Sequence, residues 1–131
     1  MTREELNALA LSMRQRSYSP YSRFRVGAAL ECSDGTVFTG CNIENAAYSP
    51  TLCAERVALG KAVSEGHTSF RRIAVAGGGK RPCVPCGVCR QMLLEFSPEM
   101  EVICIGEGDD ILTTTLRELL PFSFDSTFLP E

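Results

Sequence analysis

KRPCVPCGVCRQ spans residues 80–91, and its three cysteines set the frame for the rest of the chain. Cys83, Cys86 and Cys89 fall at every third position, with Pro82 and Pro85 between them. Proline suits a helix start, so the stretch predicts a helix over residues 85–96. Cys86 and Cys89 then share a face of its first turn, where both sulfurs can reach one ion. Val84, directly before Pro85, is driven toward extended backbone. Cys83 therefore sits outside the helix and is aimed by a different rule.

A zinc site needs a third protein ligand. The best candidate is Cys53 in TLCAER, residues 51–56, which opens a second predicted helix over residues 53–65, ended by Gly66. Helix starts carry partial positive charge that favours thiolates. Two such starts meeting at one ion would hold three sulfurs in a stabilising field. Glu55 follows Cys53 by two residues. On a regular helix their side chains would point about 200° apart. They can face one site only if Cys53 is the cap, where the backbone is not yet helical.

Local signals order the remaining elements. Thr2-x-x-Glu5 is a capping box, and Leu6, Leu9, Ala10 and Met13 form one apolar face of a helix over residues 3–16. Tyr18-Ser19-Pro20-Tyr21 stops it. Residues 24–30 read as a strand, with Gly27 where another element approaches the backbone. Ser33-Asp34-Gly35 is a hairpin turn that leads into a strand over residues 36–42. Residues 45–50 are irregular. Short strands follow at 72–76, 101–105 and 111–114. Thr115-x-x-Glu118 then caps a short helix that Pro121 ends. This order predicts an α/β fold in a single domain over residues 1–131, with one mixed sheet of about five strands covered by helices.

Composition narrows the function. Hydrophobic residues make up 44% and charged residues 22%, as in an ordinary soluble globular protein. The sequence has no apolar run of transmembrane length and no secretory start, so a cytoplasmic protein without a membrane partner is expected. Net charge is -3, and the basic pairs Arg71-Arg72 and Lys80-Arg81 are small. A nucleic-acid partner needs clustered Lys and Arg, so a stable one is not expected. Seven cysteines, an odd count, point to metal or catalysis rather than to a disulfide framework. Cys32, Cys41 and Cys104 read as small buried hydrophobes. His67, in a loop after Gly66, is assigned no role. Two other metal readings stand beside the open zinc site. A closed four-cysteine zinc site would add Cys83 to Cys53, Cys86 and Cys89. An iron–sulfur run begins with the same spacing but needs a further Cys followed by Pro, and Leu93 stands at that position.

Taken together, the motifs resemble the small zinc cytidine deaminases of nucleoside salvage. Cys53-Ala54-Glu55 and Pro85-Cys86-Gly87-Val88-Cys89-Arg90-Gln91 are similar to the zinc and acid–base segments of such enzymes. Tyr21-Ser22-x-Phe24-x-Val26-Gly27-Ala28-Ala29-Leu30 resembles the family's early strand. Gly40-Cys41-Asn42-Ile43-Glu44-Asn45-Ala46-Ala47-Tyr48 resembles its nucleoside-binding segment. Glu118-Leu119-Leu120-Pro121-x-x-Phe124 resembles its C-terminal segment. The match covers nearly the whole chain. The first ligand is Cys rather than His, as in the tetrameric nucleoside branch. Cys83 departs from the family pattern, in which that position is not a ligand, and is read as a spectator of an open site.

The resemblance implies a three-layer α/β/α fold, Zn2+ on Cys53, Cys86 and Cys89, and Glu55 as proton shuttle. It implies that Arg56 hydrogen-bonds a ligand sulfur and offsets the negative charge of three thiolates. It places substrate contacts at Phe24, Asn42, Glu44, Ala46, Tyr48, Ala54 and Phe124, with Asn42 and Glu44 on the ribose. The implied reaction converts cytidine and 2′-deoxycytidine to uridine and 2′-deoxyuridine plus ammonia, in pyrimidine salvage. The implied assembly is a homotetramer with shared active sites, in which Tyr48 and Phe124 reach a neighbour's pocket. A carboxylate near the sugar repels phosphate, so Glu44 favours nucleoside over nucleotide. Two rivals remain. One is a deaminase of a cytosine-bearing antibiotic such as blasticidin S. The other is a structural zinc or redox module, which has no need of Glu55.

Overall fold

A computed structural model describes residues 1–108 and 110–130. Its regular elements are α1 (Arg3–Met13), β1 (Val26–Cys32), β2 (Val37–Cys41), α2 (Ala54–Ser64), β3 (Phe70–Gly77), α3 (Gly87–Leu94), β4 (Glu101–Ile105), β5 (Ile111–Thr115) and α4 (Leu116–Leu119). The strands form one sheet in the order β2-β1-β3-β4-β5. Only β3 and β4 run parallel; the other neighbours are antiparallel, so the sheet is mixed. A parallel pair needs a crossover, and the segment carrying α3 supplies it.

Strand periodicity separates two cores, because successive side chains point to opposite faces. Ala28 and Leu30 of β1, Ile73 and Val75 of β3, and Val102 and Cys104 of β4 face one side. There they pack with Ala54, Ala58, Leu59 and Ala62 of α2 and with Leu93 and Leu94 of α3. The intervening Ala29, Ala74, Ala76, Ile103 and Ile105 face the other side and meet Leu6 and Ala10 of α1. The result is three layers, α/β/α, as expected.

Two glycines let the helices lie close to the sheet. A Cβ on Gly27 would stand 2.2 Å from the Ala10 carbonyl oxygen of α1. One on Gly40 would stand 2.3 Å from the Ala54 carbonyl oxygen, in the first turn of α2. The close approach expected at Gly27 is therefore real, and Gly40 sets the position of α2 in the same way.

Several boundaries differ from expectation. The first helix is α-helical only to Met13 and continues as a 3-10 turn over Arg14–Arg16. Phe24 precedes β1, and β3 is longer than its apolar run suggested because it pairs with β1 from Val26↔Gly77 to Cys32↔Phe70. Pro85 lies outside α3. Cys86, with φ -68° and ψ 169°, is the extended N-cap, so α3 begins at Gly87. Both capping residues act as anticipated: Thr2 accepts from Glu5 N–H at 3.1 Å and Thr115 from Glu118 N–H at 3.3 Å.

Candidate active site and metal centre

Cys53 is the N-cap of α2, with φ -77° and ψ 153°. Its backbone is extended, so its side chain escapes the helical rotation that would have turned it away from Glu55. Cys86 caps α3, and Cys89 follows inside the first turn of that helix. The Sγ atoms of Cys53 and Cys86 are 3.8 Å apart, and those of Cys86 and Cys89 3.5 Å. All three lie within 4.8 Å of one another. Two helix starts thus converge on one point, and the Cys83 thiol is not part of that cluster.

The surroundings favour negative sulfur at Cys53. Hydrogen bonding from the Cys89 thiol, then from Arg56 and Cys86, holds its thiol well below the ordinary range. Arg56 reaches Cys53 Sγ with Nη2 at 3.7 Å and also donates to the Thr51 carbonyl at 3.1 Å. Glu55 is 4% exposed. Burial pushes its carboxyl up to about 7, and negative charge at Cys53 adds to the rise. Burial also pushes the Cys83 thiol up to about 12, which keeps it neutral and uncharged beside Glu55.

A cavity of about 260 Å³ opens over these groups. Of the residues singled out in the sequence, Phe24, Asn42, Glu44, Cys53, Ala54, Glu55 and Cys86 line it. Ala46, Tyr48 and Phe124 do not; Tyr48 is 74% and Phe124 57% exposed. The Asn42 side chain is built into the backbone around it: Oδ1 accepts from Val26 N–H at 2.9 Å and from the Ser17 hydroxyl, and Nδ2 donates to the Phe24 carbonyl at 2.8 Å. Glu44 Oε1 accepts from the N–H groups of Tyr21 and Ser22 at 2.9 and 3.1 Å, and Oε2 accepts from the Ser22 hydroxyl. These bonds, led by the one from Ser22, hold the Glu44 carboxyl below its usual range. A larger depression of about 610 Å³ near Tyr18, Arg23 and Arg25 carries neither thiol nor carboxylate in its lining.

Residues 1–105 match the family model of the cytidine and deoxycytidylate deaminase zinc-binding region. The chain belongs to that family. This deaminase is 49% identical over 122 residues to cytidine deaminase of Sporosarcina psychrophila, covering 92% of this chain and 90% of the relative. It is also 49% identical over 125 residues to cytidine deaminase of Halalkalibacterium halodurans, covering 95% of each. It superposes on the crystal structure of cytidine deaminase from Burkholderia pseudomallei with a TM-score of 0.91 and 44% identity, covering 95% of this chain and 100% of that one.

The deaminase fits Zn2+ on structural grounds. A tetrahedral ion with Zn–S bonds near 2.3 Å requires sulfurs about 3.8 Å apart; Cys86 stands 3.5 Å from Cys89 and 3.8 Å from Cys53, and all three lie within 4.8 Å of one another. Arg56 Nε is buried and has no hydrogen-bond partner among the described residues. Such an orphaned cationic donor beside Cys53 suits a thiolate cluster of net negative charge. Among the residues of the deaminase to which the sequence reading gave no site role, three stand out. Ser17 holds Asn42, Ser22 holds Glu44, and Val84 lines the cavity. Ser22 falls in a quoted motif, but its partner is 22 residues away, and nothing local in the sequence announces the pairing.

Proposed function

We propose that this chain is a zinc-dependent cytidine deaminase, a hydrolase that converts cytidine and water to uridine and ammonia. The observation that carries it is the buried Glu55 carboxyl at one cavity with Cys53 and Cys86, which cluster with the buried Cys89 thiol. Cys53, Cys86 and Cys89 would hold the metal. When bound, zinc supplies Lewis-acid activation of water near neutral pH.

The protein's own groups do the rest. Glu55 takes a proton from the attacking water onto its carboxylate and passes it to N3 of the cytosine ring. It then removes the remaining proton from the hydroxyl added at C4 and delivers it to the departing amine as the C4 carbonyl forms and the C–N bond breaks, so the same side chain acts as base and then as acid. A carboxyl poised near 7 by burial suits both directions. Arg56 offsets sulfur charge from outside the reacting atoms.

Ribose recognition follows from unspent hydrogen-bonding capacity. Asn42 has used both lone pairs of Oδ1 and one N–H, which leaves one N–H. Glu44 has one lone pair left on Oε2. A sugar hydroxyl complements them, accepting from Asn42 and donating to Glu44. Phe24 and Ala54 then shape the apolar wall around the nucleoside. 2′-Deoxycytidine belongs in the same substrate class.

Tyr48 and Phe124 act on a neighbouring copy in a homotetramer with shared sites, and Ala46 belongs to the substrate-binding set. Supporting this are exposed aromatic residues that a monomer would leave in water: Phe122 at 105%, Phe124 at 57% and Phe128 at 68%. The proposed setting is pyrimidine salvage in the cytoplasm, with the whole chain as one domain. Seven free cysteines suit a reducing compartment. A net charge of -3 favours a small-molecule partner over a nucleic-acid polymer. Among the described residues no helix is long and apolar enough to cross a membrane.

The test is to incubate purified protein with cytidine and follow uridine and ammonia together. Stoichiometric release of both, dependent on Glu55, is expected. Absence of turnover from folded, zinc-loaded protein would overturn the reading. Light scattering on the same preparation reports the assembly, with a mass four times the 14.3 kDa chain expected.

A further inference from the structure

Cys32, Asp34 and His67 take no part in the chemistry above, yet three separate local devices bring them together. The pairing of β1 with β3 shifts register between Glu31, which faces Arg72, and Cys32, which faces Phe70. A bulge of this kind re-aims the side chain that follows it. In the next turn, Asp34 Oδ1 accepts from Thr36 N–H at 2.9 Å, which leaves Oδ2 at 3.2 Å from His67 Nε2. His67 comes from the end of α2. Gly66, with φ +93°, closes that helix, its N–H bonding to the Val63 carbonyl at 3.0 Å and the His67 N–H to the Ala62 carbonyl at 2.9 Å. The cap fixes the direction in which the imidazole leaves the helix.

One thiol, one carboxylate and one imidazole therefore offer ligand atoms that all lie within 4.8 Å of one another. They line a cavity of about 250 Å³. Cys32 is 1% exposed. His67 Nδ1 is buried and has no hydrogen-bond partner among the described residues. A simple surface pair of His67 with Asp34 explains neither the buried sulfur beside it nor the unpaired ring nitrogen.

We propose that this cluster is a second metal site, which takes a zinc-class divalent cation. A thiolate and a carboxylate supply two negative charges, which a divalent ion neutralises. Sulfur and imidazole suit zinc, whereas magnesium and calcium require oxygen ligands. A cysteine thiol is ordinarily protonated near neutral pH, so the ion must displace its proton. Binding forms one metal–sulfur bond, breaks one S–H bond and releases one proton to solvent. The ion would fasten the β1–β2 hairpin to the end of α2. Because those segments are apart in an unfolded chain, it stabilises the folded state.

The site is tested by titrating Zn2+ calorimetrically into full-length protein already carrying one equivalent, in two buffers of different ionisation enthalpy. A second equivalent per chain with release of one proton is expected, together with a rise in Tm. His67→Gln, at a half-buried position, and Asp34→Asn, at an exposed one, should each weaken that second equivalent by at least about tenfold. Both should leave the first equivalent and cytidine turnover unchanged. Binding of a single equivalent by the unaltered protein overturns the proposal. So does a second equivalent that persists in both variants.

Discussion

Cys53 and Glu55 face the same cavity although one residue separates them, because Cys53 is an extended cap and Glu55 the second residue of the helix it caps. The helix boundary between them thus creates the juxtaposition of the proposed metal ligand and the proposed proton shuttle. Moving that boundary by one residue would rotate one of the two groups out of the site.

Glu55→Gln removes the proposed proton shuttle while preserving shape. Zinc should remain at one equivalent in the catalytic cluster, and kcat for cytidine should fall by roughly 10²–10⁴. Metal analysis beside steady-state kinetics checks both. Turnover close to normal would remove Glu55 from the mechanism.

Cys83 lies at the cavity wall, packed near Gly77 and Phe24, outside the three-sulfur cluster. Cys83→Ala should keep catalytic zinc at full stoichiometry. Loss of that metal, measured by elemental analysis, would restore the closed four-cysteine site.

Glu44 presents a carboxylate at the cavity where the sugar is proposed to bind. Cytidine should exceed its monophosphate in kcat/KM by more than about tenfold, a difference of about 1.4 kcal/mol. Glu44→Gln turns an NH2 group toward donors from Tyr21 and Ser22, so cytidine use should fall and the discrimination narrow. A preference for the monophosphate in the unaltered enzyme would refute the role of this carboxylate.

Gly27→Ala and Gly40→Ala should both destabilise the fold by about 1–3 kcal/mol, since each new Cβ meets helix backbone rather than a movable side chain. Their effects on the site should differ. Gly40 abuts Ala54, the residue after Cys53, so Gly40→Ala should weaken zinc binding as well. Gly27 abuts α1 on the opposite face of the sheet and should leave zinc unaffected. Denaturant unfolding and metal titration separate the two.

Periodic and short-range features were legible in the chain. Thr2 and Glu5 announced α1, the Ser33-Asp34-Gly35 turn announced the hairpin of β1 and β2, and the Cys53 and Cys86 segments announced two helix starts. The limits of these elements were less legible where pairing across the sheet set them. β3 extends to Phe70 and Gly77 only because β1 lies beside it. Pro85 suggested the first helical residue, but Cys86 holds extended backbone and takes the cap itself.

The sequence by itself determined the α/β order, the cysteine spacing and the nearness of Glu55 to Cys53, since all of these arise within a few residues. Tertiary structure alone decided that Cys53 meets Cys86 and Cys89 while Cys83 stays apart. It alone decided that Ser22 holds Glu44 and that Cys32, Asp34 and His67 converge. Such meetings depend on how helices and strands pack, through contacts such as Gly40 against Ala54, and side-chain spacing along one segment carries no record of the distance to another.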